Sequence, residues 1–311
     1  MRHRLMSPLQ HFNLPSYAIH ASTLLLALLT IGTPIHAQRV LVEDYRIGAF
    51  EQAQRIAVDA FGNVLVTDAG SATVRKLSID GTSLADVGGP GWDAGRFDQP
   101  MGLDASLAVA MYVADRNNRR IVRLDRDLNV VATLDSETPG GERRFGYPVD
   151  VVASSFEQLF VLDSENSLVV TLSGFDRVDR RFGGVDAGEG RLHDPVAMAR
   201  GGNDRLYVLE RGRVVVFDVF GNFIGQFGRD ILDDARGIAV CPTDGAAANT
   251  RIHVVTAKEL HVFAADGSHL ESIGRDRMVI ADEPLEFVDV ACTSLFLLLL
   301  TPRYCILIPA N

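Results

Sequence analysis

Beyond residue 37 the chain carries four histidines, His193, His253, His261 and His269, and three cysteines, Cys241, Cys292 and Cys305. These are the side chains that bind zinc or move protons near neutral pH. Such chemistry needs them to converge, and their spacing argues against it. The last three histidines fall within one short stretch, no two are placed as a pair on one strand face, and no CxxC is present. A nucleophile elbow, a phosphate loop and an HExxH helix are likewise missing from the sequence. The remaining polar clusters are rich in arginine and asparagine, as in "DRNNRR" at 115–120. That is the chemistry of recognition rather than of bond cleavage.

The elements that must position these groups follow a repeat. Strand ends of one type recur as "VLVTD" (64–68), "MYVAD" (111–115), "LFVLD" (159–163) and "LYVLE" (206–210), then more weakly as "IHVVT" (252–256) and "LFLLL" (295–299). Their last residues are 47, 48, 47, 46 and 43 positions apart. An apolar strand precedes each, a third follows, and most units close with a short fourth strand ending in glycine. A period of 40–50 residues with four strands per unit predicts a six-bladed β-propeller, an all-β fold. The sixth unit has only three strands before the chain stops, whereas "RVLVEDY" (39–45) alternates as a strand ahead of the first unit. Residues 39–45 are therefore expected to complete the last blade and close the ring, which removes the free sheet edges.

The units resemble the NHL repeat. Residues 95–125, "GRFDQPMGLDASLAVAMYVADRNNRRIVRLD", follow that pattern nearly throughout, and 55–81 and 188–228 follow most of it. The resemblance implies the fold and leaves function open, because the repeat carries enzymes, scaffolds and adhesive modules alike. In similar lactonases, of the gluconolactonase type, a divalent ion such as Ca2+ sits at the mouth of the central channel on oxygens from several inner strands. The corresponding positions here are Arg55, Gly102, Asp150, Ala197, Gly237 and Asp289. Asp150 and Asp289, with Arg55, form the only candidate for such a metal, and three small residues supply no further ligands. Amidating-lyase relatives use zinc histidines, a tyrosine and an arginine, a set that does not assemble here. The resemblance also places the strand 2–3 loops and the segments leading into the inner strands on one side of the ring.

That side carries Arg116, Asn118, Arg119, Arg211 and Arg213 on the loops, and Trp92, Phe97, Phe145, Tyr147 and His193 on the leading segments. Arginines mixed with aromatics typify interface anchors. The expected function is an exported, non-enzymatic module without a cofactor, a monomer that binds a protein, peptide or glycan through Arg116, Asn118, Arg119, Arg211, Arg213 and Tyr147. A metal-dependent lactonase or an amidating lyase is the alternative. Asp68, Asp115 and Asp163, where strand two ends, are expected to accept hydrogen bonds from the following loops.

Export is read from the N-terminus. Arg2 and Arg4 precede an apolar "TLLLALLTIG" (23–32) and a cleavage pattern ending at Ala37, giving a signal peptide over 1–37 and a propeller over 38–311. The apolar run is too short for a membrane span, so the mature chain is expected in the periplasm or outside the cell. The net charge of −10 becomes −12 once those two arginines are removed, which argues against nucleic acid as a partner. In an oxidising compartment one disulfide is possible, and Cys241 with Cys292, at matching ends of neighbouring inner strands, is the expected pair.

Overall fold

A computed structural model describes residues 39–154, 158–202, 205–242, 250–281 and 286–310. The expected signal peptide and the centre of the insertion at 241–250 lie outside them. Six four-stranded antiparallel sheets make up the fold, with a further parallel pair, Leu41–Val42 with Met278–Val279. The inner strands are Ala53–Val58, Pro100–Leu107, Pro148–Ala153, Pro195–Arg200, Gly237–Pro242 and Asp289–Cys292. Each touches the next in chain order and the sixth touches the first, so the ring is closed. Among the described residues no helix is long and apolar enough to cross a membrane.

Closure uses the N-terminal segment, with a shifted register. The strand that completes the sixth blade is Tyr45–Ile47, antiparallel to Cys305–Leu307. Leu41 and Val42, expected in that strand, pair instead with Met278 and Val279 between blades five and six. The physical reason lies in the side chains: Leu41 is buried with Met278 and Phe287, whereas Ile47 enters the cluster between blades six and one.

The second strand of each blade is buried on both faces, which is why "VLVTD" and its counterparts read as continuous apolar runs rather than alternating ones. Outer strands such as Arg177–Phe182 are largely exposed and polar. Six apolar clusters result, one in each gap between neighbouring blades. A single large residue from the segment leading into each inner strand wedges into each gap: Phe50, Phe97, Phe145, Leu192, Leu232 and Phe287, all buried. Phe97 and Phe145 therefore do not belong to the exposed face. The aromatic of the repeat motif is an interblade wedge.

Side-chain ties also cross every gap. Thr67 donates its hydroxyl to the Met101 carbonyl (2.7 Å) between blades one and two. Asp104 accepts the Ala153 amide (2.9 Å) and Asp150 the Met198 amide (2.7 Å) in the next two gaps. Arg205 donates to the Ala265 carbonyl (3.1 Å) between blades four and five. Cys241 and Cys292 form the expected disulfide, Cα to Cα 5.9 Å, and Asp289 accepts the Ile56 amide (2.9 Å) across the closing gap. Cys305 is a buried free thiol.

Two outcomes follow from closure. Removing residues 39–47 strips the sixth blade of its edge and the buried Ile47, and should lower Tm by roughly 10 °C in calorimetry. Peptide mapping without reduction should recover the Cys241–Cys292 pair with Cys305 alkylated only after unfolding. The Cys241→Ser/Cys292→Ser variant should lose up to about 4 kcal/mol for a loop of 51 residues.

Candidate functional site

The six inner strands wall an axial cavity of about 240 Å³. Arg55 crosses the mouth of that channel. It stands on blade one, and its guanidinium donates to the Val196 carbonyl on blade four, directly opposite in a ring of six, and to the Gln54 carbonyl (3.1 Å). Its Nε–H is buried without a partner. Asp150 on blade three and Asp289 on blade six face each other along a second diameter. A methyl group added at Gly102 would fall 2.3 Å from the Cα of Asp150, and one at Gly237 would fall 2.5 Å from the Cα of Asp289. These two glycines are required by the closeness of the neighbouring inner strands.

Both carboxyls are buried, and burial raises Asp150 to about 6 and Asp289 to about 7 against the downward pull of Arg55. Asp104, deeper in the channel and not singled out by sequence, is also raised by burial. Its signal was a lone acid within an otherwise apolar inner strand. The donor set fits a guanidinium better than a divalent ion. Asp150 accepts the amides of Val151 (2.9 Å) and Met198, Asp289 accepts that of Ile56, and the positive charge acting on both belongs to Arg55. Among the described residues no three His, Cys, Asp or Glu side chains gather as a metal site.

The loop face divides its expected residues into two groups. Arg213 is buried, paired with Glu210 and bonded to the Gln226 side chain and the Arg191 carbonyl (2.7 Å). Asn118 is buried too, donating to Asp115 (2.8 Å) and to the Gly91 carbonyl (2.9 Å). These two hold loops. Arg211 is exposed and pairs with Asp234. Arg116, Arg119 and Tyr147 come together at the blade two–three boundary. Arg119 donates to the Tyr147 hydroxyl (2.6 Å) with its guanidinium carbon 4.2 Å from the ring centre, and that of Arg116 lies 5.3 Å from it.

The strand-end acids accept bonds from the following loops, from Gly70, Asn118 and Asn166, and beyond that expectation also from the segments that lead into the inner strands. Asp68 accepts the amides of Glu51 (2.8 Å) and Gln52 (2.7 Å), and Asp163 that of Gly146 (2.8 Å). Asp115 accepts the Asp98 amide (2.8 Å) and pairs with Arg120 (2.8 Å). Of the histidines, His253 and His261 are buried in blade five, with burial lowering His253 to about 4 and His261 also downward. His261 and His269 share the Ser272 hydroxyl at 2.8 Å each. His193, exposed on the loop face, lies 3.3 Å from Arg213.

Six closed four-stranded blades around a channel define a six-bladed β-propeller. No family model matches the chain. Among solved structures it is similar to a streptogramin B lyase, with 16% identity, a TM-score of 0.57 and coverage of 82% of this chain and 78% of that one. It is also similar to a catalytically inactive histidine variant of virginiamycin B lyase from Staphylococcus aureus with quinupristin (13% identity, TM-score 0.57, 83% and 80% covered). A third similar structure is hydrazine synthase from Kuenenia stuttgartiensis (10% identity, TM-score 0.53, 81% and 74% covered). At these identities the likeness is one of fold.

The channel carboxyls predict a pH effect of definite sign. Their folded values lie above the ordinary 3.8, so the stability they confer is complete below that value and is lost as pH rises through 6 and 7. His253, lowered by burial, slopes the other way between its ordinary 6.5 and about 4, so the wild-type curve mixes the two. The Asp150→Asn/Asp289→Asn variant isolates the carboxyls. Its Tm should gain on wild type steadily from pH 4 to 7, by at most about 1.4 kcal/mol per pH unit for each carboxyl, and stay parallel above pH 8. Parallel curves from pH 4 to 7 would refute the shifts. Asp289→Ala, which strands the Ile56 amide, should cost about 1–3 kcal/mol near pH 4 and less as pH rises through 7, because the wild type loses the contribution of that carboxyl over the same range.

Proposed function

We propose that this protein is an exported, non-enzymatic binding module of the NHL-repeat kind, engaging its partner through the loop face around Arg116, Arg119 and Tyr147. One observation carries the reading. Two guanidiniums and a tyrosine ring are assembled on the surface, half-buried and mutually oriented, on loops fixed from below by Asp115, Asn118 and Arg120. Preorganised arginine and aromatic groups of this sort supply most of the energy in interfaces, since little side-chain freedom is lost on contact.

The channel supports the same reading by what its residues already do. Asp150 and Asp289 are engaged as interblade ties, and Arg55 bars the mouth between them. The structurally similar lyases are enzymes, and one of them is catalytically inactive as a histidine variant. In this chain His193, on the loop face, is held beside the structural Arg213. The N-terminal signal pattern and the disulfide both suit an oxidising compartment outside the cytoplasm.

The test is a reversal of charge. Arg116→Glu/Arg119→Glu should keep the wild-type melt, because both side chains reach the surface, and should weaken partner capture from the exported fraction at least tenfold, about 1.4 kcal/mol. Arg211→Glu, remote from Tyr147, should weaken it far less. Equal capture by all three proteins would remove the arginine face from the account.

A further inference from the structure

We propose that Trp92 is the stacking platform of a carbohydrate site and takes a neutral sugar ring, an inference that rests on the binding-face reading above and names its ligand class. Trp92 is the only tryptophan in the chain and is 74% exposed. Its indole has no hydrogen bond or ring contact among the described residues.

This exposure does not come from a slack loop. Arg120, buried and paired with Asp115, donates to the carbonyls of Trp92 (2.7 Å), Asp93 (3.4 Å) and Arg96 (2.6 Å). Asn118 donates to the Gly91 carbonyl from the same turn. The loop is bridged on itself between Pro90 and Phe97, and Phe97 is the wedge between blades one and two. A large apolar ring is thus held in water by a buried ion pair and four side-chain hydrogen bonds, beside the turn that presents Arg116 and Arg119.

Its surroundings select the ligand. Among the described residues of 90–99, 115–120 and 143–147, no other large apolar side chain is exposed. The fully buried core of a protein interface is more apolar than this stretch of surface. Segments 90–99 and 115–120 together carry four arginines against three aspartates, too even a balance for a polyanion. What remains is a flat exposed indole on a loop that also carries Asp93 and Arg96, next to the turn of Arg116 and Asn117 that Asn118 and Arg120 tie to it. A neutral sugar ring suits such a platform: its C–H face stacks on the indole while its hydroxyls hydrogen-bond polar groups of the same loop and of the neighbouring turn.

Because Trp92 is the sole tryptophan, intrinsic fluorescence reports on the site directly. The mature protein is titrated with cellohexaose, chitohexaose and mannohexaose. At least one should give a saturable blue shift, and native gels containing the corresponding soluble polysaccharide should retard the wild type. Trp92→Ala should abolish retardation and Trp92→Phe should restore part of it, with thermal melts unchanged. No shift across the three sugars, or undiminished retardation of Trp92→Ala, overturns the inference. Retardation only by dextran sulfate, lost at 0.5 M salt, would assign the site to a polyanion and overturn it equally. If the sugars fail while Arg116→Glu/Arg119→Glu still loses its captured partner, the binding face stands without the sugar. If both fail, the face reading falls too.

Discussion

A blade with two apolar faces cannot be left with either one in water. Its second strand sends buried side chains into the clusters of both flanking gaps, and the same holds for every blade around the axis. A stack of such sheets always has two bare ends, and only a ring has none. Closure is therefore the constraint from which the rest follows, and the short Tyr45–Ile47 strand matters more than its length suggests. It supplies the last edge and lets blade six meet blade one through Ile47 and Phe50.

Closing the ring crowds the axis, and the polar residues at the channel mouth answer that crowding. Gly102 and Gly237 are bare because the backbone of the next inner strand leaves no room for a methyl group. Asp150 and Asp289 use the same closeness to accept amides from the following blade. Burying two carboxyls is costly when they are charged, and a guanidinium stretched across the channel offsets part of that cost. The mouth is thus a structural solution in which three ionisable groups balance one another, and their raised values record the burial.

The outer face is released from these demands. Loops between strands two and three carry none of the six wedges, so their tips are free to differ from blade to blade. Blade two uses that freedom most: the buried Asp115, Asn118 and Arg120 act as a frame, while Arg116, Arg119 and the neighbouring Trp92 are turned outward. In blade four the corresponding frame is Glu210 with Arg213, and only Arg211 points away. The same repeat position serves as support in one case and as display in another.

The sequence by itself determined the number of blades, the order of strands and the use of an N-terminal strand for closure. All of these depend on a local pattern repeated in register, which survives without knowledge of distances between blades. The strand-end acids were legible for the same reason, since Asp68, Asp115 and Asp163 bond to loops fixed by that pattern. Sequence could not separate Arg213 from Arg116, or Asn118 from Asn117, because burial of a polar side chain depends on what a neighbouring loop brings to it. Nor could it show Arg55 reaching a carbonyl 141 residues away. That contact exists only because six blades place position 55 and position 196 on opposite walls of one narrow channel, a distance set by the closed ring and by no stretch of chain.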